Sequence, residues 1–294
     1  MIFDRYIGFL DEFSVDVAIF SLSGNEIGKG TFSVGKNTVP QIDFQPFTEL
    51  SKYTEQKTFI CKSGKYTYQL IDCDVLERVI FPRLVIRGQK RRTKFKKVHL
   101  FFLGLSQWMN TNEKFELANS EIIKKRDTKE FKSEIDSGGR NFSICNERWC
   151  ETKHVGANSH QINEYTILTI EAKDFSWSYS ELISTINDIR TFFTLLLGYS
   201  IGLEYALDCT DKGMTQSIYF LNATKAEGRD ILSRNCFVQS NQIFKKDQWQ
   251  NLLQGYFSNE NEQYRKVWAR IAGMLSYEGF WEYRILAYVS LVDR

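Results

Sequence analysis

Only three prolines occur in the chain, Pro40, Pro46 and Pro82, so no proline-rich linker divides its 294 residues and any domains in it are expected to abut. Neither sign of charge is in marked excess. The 38 Lys and Arg stand against 36 Asp and Glu, and a net charge of +2 is too small for the whole molecule to act as a polycation on nucleic acid. Long hydrophobic runs are missing too. The most apolar stretch, Phe192 to Leu207, is broken by Gly198, Ser200 and Glu204 and falls short of the roughly 20 residues that cross a bilayer, so no membrane partner is expected. At the start, Asp4 and Arg5 interrupt the continuous apolar core that a signal peptide needs. Without an export signal the six cysteines (Cys61, Cys73, Cys145, Cys150, Cys209 and Cys236) are expected as reduced thiols, and the location as cytoplasmic.

What is present is material for a core. Phe and Tyr number 23 and 14, enough buried ring area to exclude a disordered chain and to fill one large domain or two ordinary ones. The first 175 residues read as strands: Val15 to Ser21, Gly28 to Val34, Thr67 to Ile71, Val79 to Arg87, Val98 to Leu103 and Tyr165 to Ala172 are short β-branched and aromatic runs. Ser23-Gly24-Asn25 and Ser63-Gly64-Lys65 supply turn chemistry for a meander of antiparallel pairs. Because helical patterns do not alternate with these strands, a sandwich or open barrel is expected rather than a doubly wound fold.

The period changes after Asp174. Leu182, Ile186, Ile189, Phe193 and Leu196 recur at helical spacing, with Ser180 as N-cap and Gly198 as stop. A strand pair (Ile201 to Asp208, Gln216 to Asn222) and a helix from Gln242 to Tyr256 follow. From Asn259 the pattern is helical again, with Tyr264, Val267, Trp268 and Ile271 on one face and then Phe280 to Val292. The fold class is therefore α+β: a β-rich region over 1–175, a mixed continuation over 176–258 and a helical segment over 259–294. The last helix has no stop signal, so the chain is expected to end partway into a helical domain; docking of that helix on the preceding one is the alternative.

The strongest local charge feature is the run Arg87, Lys90, Arg91, Arg92, Lys94, Lys96 and Lys97 between two apolar strands. As a hairpin tip it offers cations to phosphates, with Phe95 available to stack on a base, or to an acidic protein partner. The plainer reading is a solvated charge run that discourages edge-to-edge strand pairing.

Cys145, Cys150, His154 and His160 are four residues of the types that zinc prefers. Their spacing is not that of a zinc finger, which folds about a dozen residues between the second Cys and the first His, and a loop with two unrelated thiols is the plainer reading. The stretch Gly24 to Thr31 lacks the spacing of a phosphate loop and reads as a turn, and no G-x-S-x-G frames a serine nucleophile. Asp72 and Asp74 lie near a strand end, where a carboxylate pair is most simply solvated. No cofactor is expected.

Several stretches together resemble the N-terminal domain of ApeA-type proteins, bacterial abortive-infection proteins with a C-terminal HEPN ribonuclease domain. They are Gly30 to Val34, Tyr68 to Cys73, His99 to Trp108, Asp188 to Gly198 and Phe280 to Val292, the last resembling the helix that leads into the HEPN bundle. The resemblance implies a β-rich regulatory part that binds a phage protein or other trigger and controls a downstream HEPN domain, which dimerises. The family's nuclease signature is an Arg, four to six residues, then His on a helix. Arg92 to His99 and Arg148 to His154 have that spacing but not a helical context, so no catalytic residue is carried over. The alternative is a nucleic-acid-binding or RNA-cleaving protein that uses the basic run and the Arg148 to His154 segment, with or without zinc.

Overall fold

The structure is a computed structural model and describes residues 13–34, 39–64, 66–88, 93–102, 104–109, 114–118, 121–125, 130–156, 159–209, 215–220, 236–245 and 247–275. Among these, the strands in chain order begin with β1 (Phe13–Phe20), β2 (Glu26–Val34), β3 (Gln41–Pro46), β4 (Thr58–Ser63), β5 (Tyr66–Leu76), β6 (Val79–Gly88) and β7 (Lys97–Phe102). A short helix α1 (Leu105–Met109) precedes β8 (Lys114–Ala118), β9 (Glu121–Lys125), β10 (Lys132–Ser137), β11 (Arg140–Gly156) and β12 (Ser159–Ala172). The remainder is α2 (Tyr179–Leu197), β13 (Leu203–Cys209), β14 (Thr215–Phe220), α3 (Ser240–Lys245), α4 (Trp249–Phe257) and α5 (Glu262–Leu275). The chain divides into two compact units, Met1–Phe101 with Leu203–Lys225, and Phe102–Gly202 with Ala226–Arg294.

The first unit contains a closed antiparallel barrel, where a sandwich or an open barrel was expected. Its ring runs β6-β3-β2-β1-β4-β5, and β5 pairs again with β6 from Thr67↔Gly88 to Leu76↔Val79. Closure satisfies the backbone groups that an open sheet leaves on its edges. Strand alternation fills the interior: Val17, Ile19, Phe32, Ile42, Phe44, Phe59, Tyr68, Leu70 and Val85 form one buried cluster. Gly28 and Gly30 are strand residues, not turn residues. A Cβ on either one meets the backbone of β3 at Gln45 or Asp43, so β2 and β3 pack as they do only because both positions lack a side chain.

At Asp72 (φ 52°) and Arg83, which lie opposite each other and form an ion pair at 3.5 Å, both strands change face: the buried core continues at Cys73 and Val75. Beyond the barrel, β6 also pairs with β14 over Leu84 to Ile86, and β14 is followed by β13 and β7. Pro82 lies between this contact and the β3 contact at Val79 and Ile80, where a missing N–H interrupts least.

The second unit contains a three-stranded meander, β10-β11-β12, the separate pair β8-β9, and helices. The segment after Cys145, expected as loop, is strand: the β11–β12 ladder runs from Phe142↔Ala172 to His154↔His160. Helix α4 covers the outer edge of β10. Glu134 N–H donates to Gln250 Oε1 (2.8 Å) and Gln250 Nε2 donates back to the Glu134 carbonyl (2.7 Å); Gln254 repeats this with Asp136 at 3.0 and 3.1 Å. Four helix residues rise about 6 Å and two strand residues about 6.6 Å, so glutamines four apart match an edge's alternate residues.

Helix α2 starts earlier than expected. Ser178, not Ser180, is its N-cap, in a capping box with Glu181, and Gly198 (φ 79°) closes it with an N–H to the Thr194 carbonyl at 2.8 Å. Leu182, Ile186, Ile189 and Phe193 are buried as expected, but the stripe continues through Leu197 rather than Leu196. The single helix expected over Gln242 to Tyr256 is two. Asp247 (φ 48°) donates to the Phe244 carbonyl and Gln248 to that of Ile243, the two bonds of a Schellman stop, and α4 then restarts at the fully buried Trp249. On α5 the buried residues are Ala272 and Met274, while Tyr264 and Val267 are exposed, contrary to the expected face. The stretch Phe280 to Val292 lies outside the described residues.

Candidate functional site

The cationic run does not act as one feature. Arg87, the residue before the last of β6, lies two positions after the core residue Val85, on the same side of the strand, and is only 4% exposed. It is paired with Tyr68 across the ladder, and its guanidinium lies 5.0 Å from the ring centre of Tyr66. The expectation that it projects into solvent is therefore corrected: Arg87 closes one end of the barrel interior and stacks on an aromatic ring there. Lys90, Arg91 and Arg92 lie outside the described residues. Lys94 and Lys96 are exposed, Lys97 is half-buried at the start of β7, and Phe95 between them is completely buried. A ring held in the interior is not free to stack on a base, so Phe95 is an anchor that presents Lys94 and Lys96 on either side.

The register separates the four candidate zinc ligands. Cys145 and His154 are nine positions apart on β11, about 30 Å at the rise of a strand, so they do not share one ion. Cys150 pairs with Glu164, and His154 pairs directly with His160. Among the described residues no group of three or more His, Cys, Asp or Glu gathers as a metal site. Arg148 and His154 are on β11 and His99 is on β7, so neither histidine has the helical setting of the nuclease signature. His99 is buried.

Other reactive groups are occupied structurally. Cys61 and Cys73 are both buried in the barrel; burial pushes both thiols well above the ordinary cysteine range and makes them poor nucleophiles. Asp72 and Asp74 form exposed ion pairs with Arg83 and Lys57, the latter at 3.0 Å. In the second unit, burial raises Asp188 on α2, partly opposed by Arg265 on α5, and burial also raises the nearby Tyr256 hydroxyl on α4. Glu181 is held at about 2, first by the backbone N–H and hydroxyl of Ser178 and then by Arg140, whose guanidinium is 2.7 Å away.

Sequence reasoning missed the role of Arg87, and the signal was there: strand parity continued past Val85. Comparison with protein families, curated proteins and solved structures returns no significant match. Among the described residues, the cationic segment presents Lys94 and Lys96 to solvent on either side of the buried Phe95.

Proposed function

We propose that this chain is the sensing and regulatory part of an ApeA-type antiviral system, in which it binds a phage-derived trigger and controls a HEPN ribonuclease domain. The observation that carries the reading is the anchoring of the cationic segment: Phe95 is buried between exposed Lys94 and Lys96, and Arg87 is buried at the segment's start. Cations held by a buried anchor lose less conformational freedom on docking than the same residues in a free loop, which favours a recognition surface for an acidic partner. Control of a nuclease requires only that the trigger bind one arrangement of the protein more tightly than another.

The test is RNA cleavage at low salt by this 294-residue chain alone and together with a HEPN ribonuclease domain. Cleavage only with the HEPN domain present is expected, with release by trigger weakened in a Lys94→Glu, Lys96→Glu variant. Cleavage by this chain alone, abolished by His154→Ala, overturns the reading in favour of an RNA-cleaving protein built on the Arg148 to His154 segment.

A further inference from the structure

We infer that one end of the barrel is a docking surface for a basic, amphipathic segment of a partner protein. Three chain connections meet at that end: the β1–β2 hairpin, the exit from β3 and the β5–β6 turn. Backbone hydrogen bonds set them side by side. Phe47 N–H donates to the Ile27 carbonyl at 2.9 Å, next to the hairpin, and Phe44 N–H donates to the Arg78 carbonyl at 2.6 Å, in the β5–β6 turn. Each connection carries, within it or at its edge, one large exposed apolar side chain: Leu22 (53% exposed), Phe47 (58%) and Leu76 (62%). Among the described residues of the barrel unit these three are the exposed large hydrophobic side chains, and they fall at a single end. Apolar residues scattered singly over a surface are ordinary; three on neighbouring connections mark a place of contact.

A ring of six strands about 4.8 Å apart and tilted by about 40° is roughly 12 Å across between backbones. Two turns of helix, about 11 Å, span that distance, so one short segment reaches all three connections. The charge around them selects its composition. Glu26, Glu49, Glu55 and Glu77 are exposed on the same connections against Lys52 and Arg78, while Lys57 and Asp74 pair with each other at 3.0 Å. Carboxylates around an apolar centre favour a partner in which Lys or Arg flanks Leu- or Phe-like side chains. They oppose two other occupants. A second copy docked patch to patch brings like charges together, and an anionic lipid surface meets the same repulsion. This surface uses none of the residues of the cationic segment and does not depend on the function proposed above.

Fluorescence anisotropy of a labelled helical peptide of leucine and lysine, and of its counterpart with glutamate in place of lysine, tests the surface against the full chain. The leucine–lysine peptide should bind, more weakly as salt is added, and the leucine–glutamate peptide should not. Phe47→Ser with Leu76→Ser should weaken binding by about tenfold or more. Glu26→Gln with Glu77→Gln should flatten the salt dependence, and both pairs should leave the circular dichroism spectrum unchanged because all four side chains are exposed. No binding, equal binding of the two peptides, or an affinity that Phe47→Ser with Leu76→Ser does not move overturns the inference. So does a dimer of the unmodified chain in sedimentation that the same pair dissolves, which assigns the surface to a second copy. Phosphatidylserine vesicles held by the unmodified chain and released by that pair overturn it too, in favour of a lipid surface.

Discussion

In the barrel unit the interior is set by strand parity, shifted once where β5 and β6 change face at Asp72 and Arg83, and most of the side chains that enter are aliphatic or Phe. In the helical unit the interior is a lattice of large rings. Trp249 touches Trp108 (6.0 Å between centres), Phe131 (stacked, 4.2 Å), Phe193 and Phe244, and Phe142 links Trp177 to Phe257. The contrast separates two ways of specifying a core. A parity core is held by the backbone ring around it, and each side chain is one of many equals. A ring lattice is held by a few nodes, each of which joins several elements that are distant in sequence.

The largest effect should come from removing a node. Trp249→Ala is expected to cost about 3–5 kcal/mol in urea unfolding, whereas Trp249→Phe should cost much less, because the indole N–H has no hydrogen-bond partner among the described residues. An equal loss for both variants would show that the N–H, not the ring volume, holds the node. The next comparison sets one glycine of each unit against the other. Gly30→Ala drives a methyl into the backbone of β3 and should cost about 1–3 kcal/mol, while Gly255→Ala on α4 meets open space and should gain about 0.5–1 kcal/mol by its better helix propensity. Gains or losses of the same sign would erase the distinction between a close-packed ring and an accommodating helix.

The smallest effect concerns the helical unit alone and is seen against pH. Glu181 is lowered from an ordinary 4.5 to about 2 in the folded chain, so its contribution is fully present above 4.5 and is lost as pH falls towards 2. Glu181→Gln can keep the capping-box hydrogen bonds but has no charge to titrate. Its unfolding free energy should therefore decline less steeply than the parent's across that acid window, and parallel curves would remove Glu181 from the account.

These differences also explain what could be read in the sequence. Six strands, the body of α2 and the strand pair β13 and β14 were legible because Val, Ile, Phe and Tyr recur in them at a clear period. Strand β11 was not. Its Arg140–Gly156 sequence is rich in charged and amide side chains, and its identity as a strand comes from a ladder with β12 that no local pattern reports. Closure of the barrel was hidden for the same reason, since it depends on β1 meeting β4 and on β5 and β6 completing the ring. The cationic run was visible as a sum of charges, but its division into a buried Arg87 and exposed Lys94 and Lys96 depends on which positions the strand turns inward. The break at Asp247 was missed because an aspartate in a left-handed conformation leaves no mark on hydrophobic spacing.

The fork at β6 sets an order of assembly during translation. All six strands of the ring lie within Phe13–Gly88, so the barrel has everything it needs once that stretch has left the ribosome. The edge that later receives β14 does not: Ile86 waits for Ile218, about 130 residues downstream, which at bacterial and eukaryotic synthesis rates is a delay of roughly 7 to 26 s. Until then, the part of β6 that pairs with β14 has strand partners from the barrel on one side only, an edge open to strand addition.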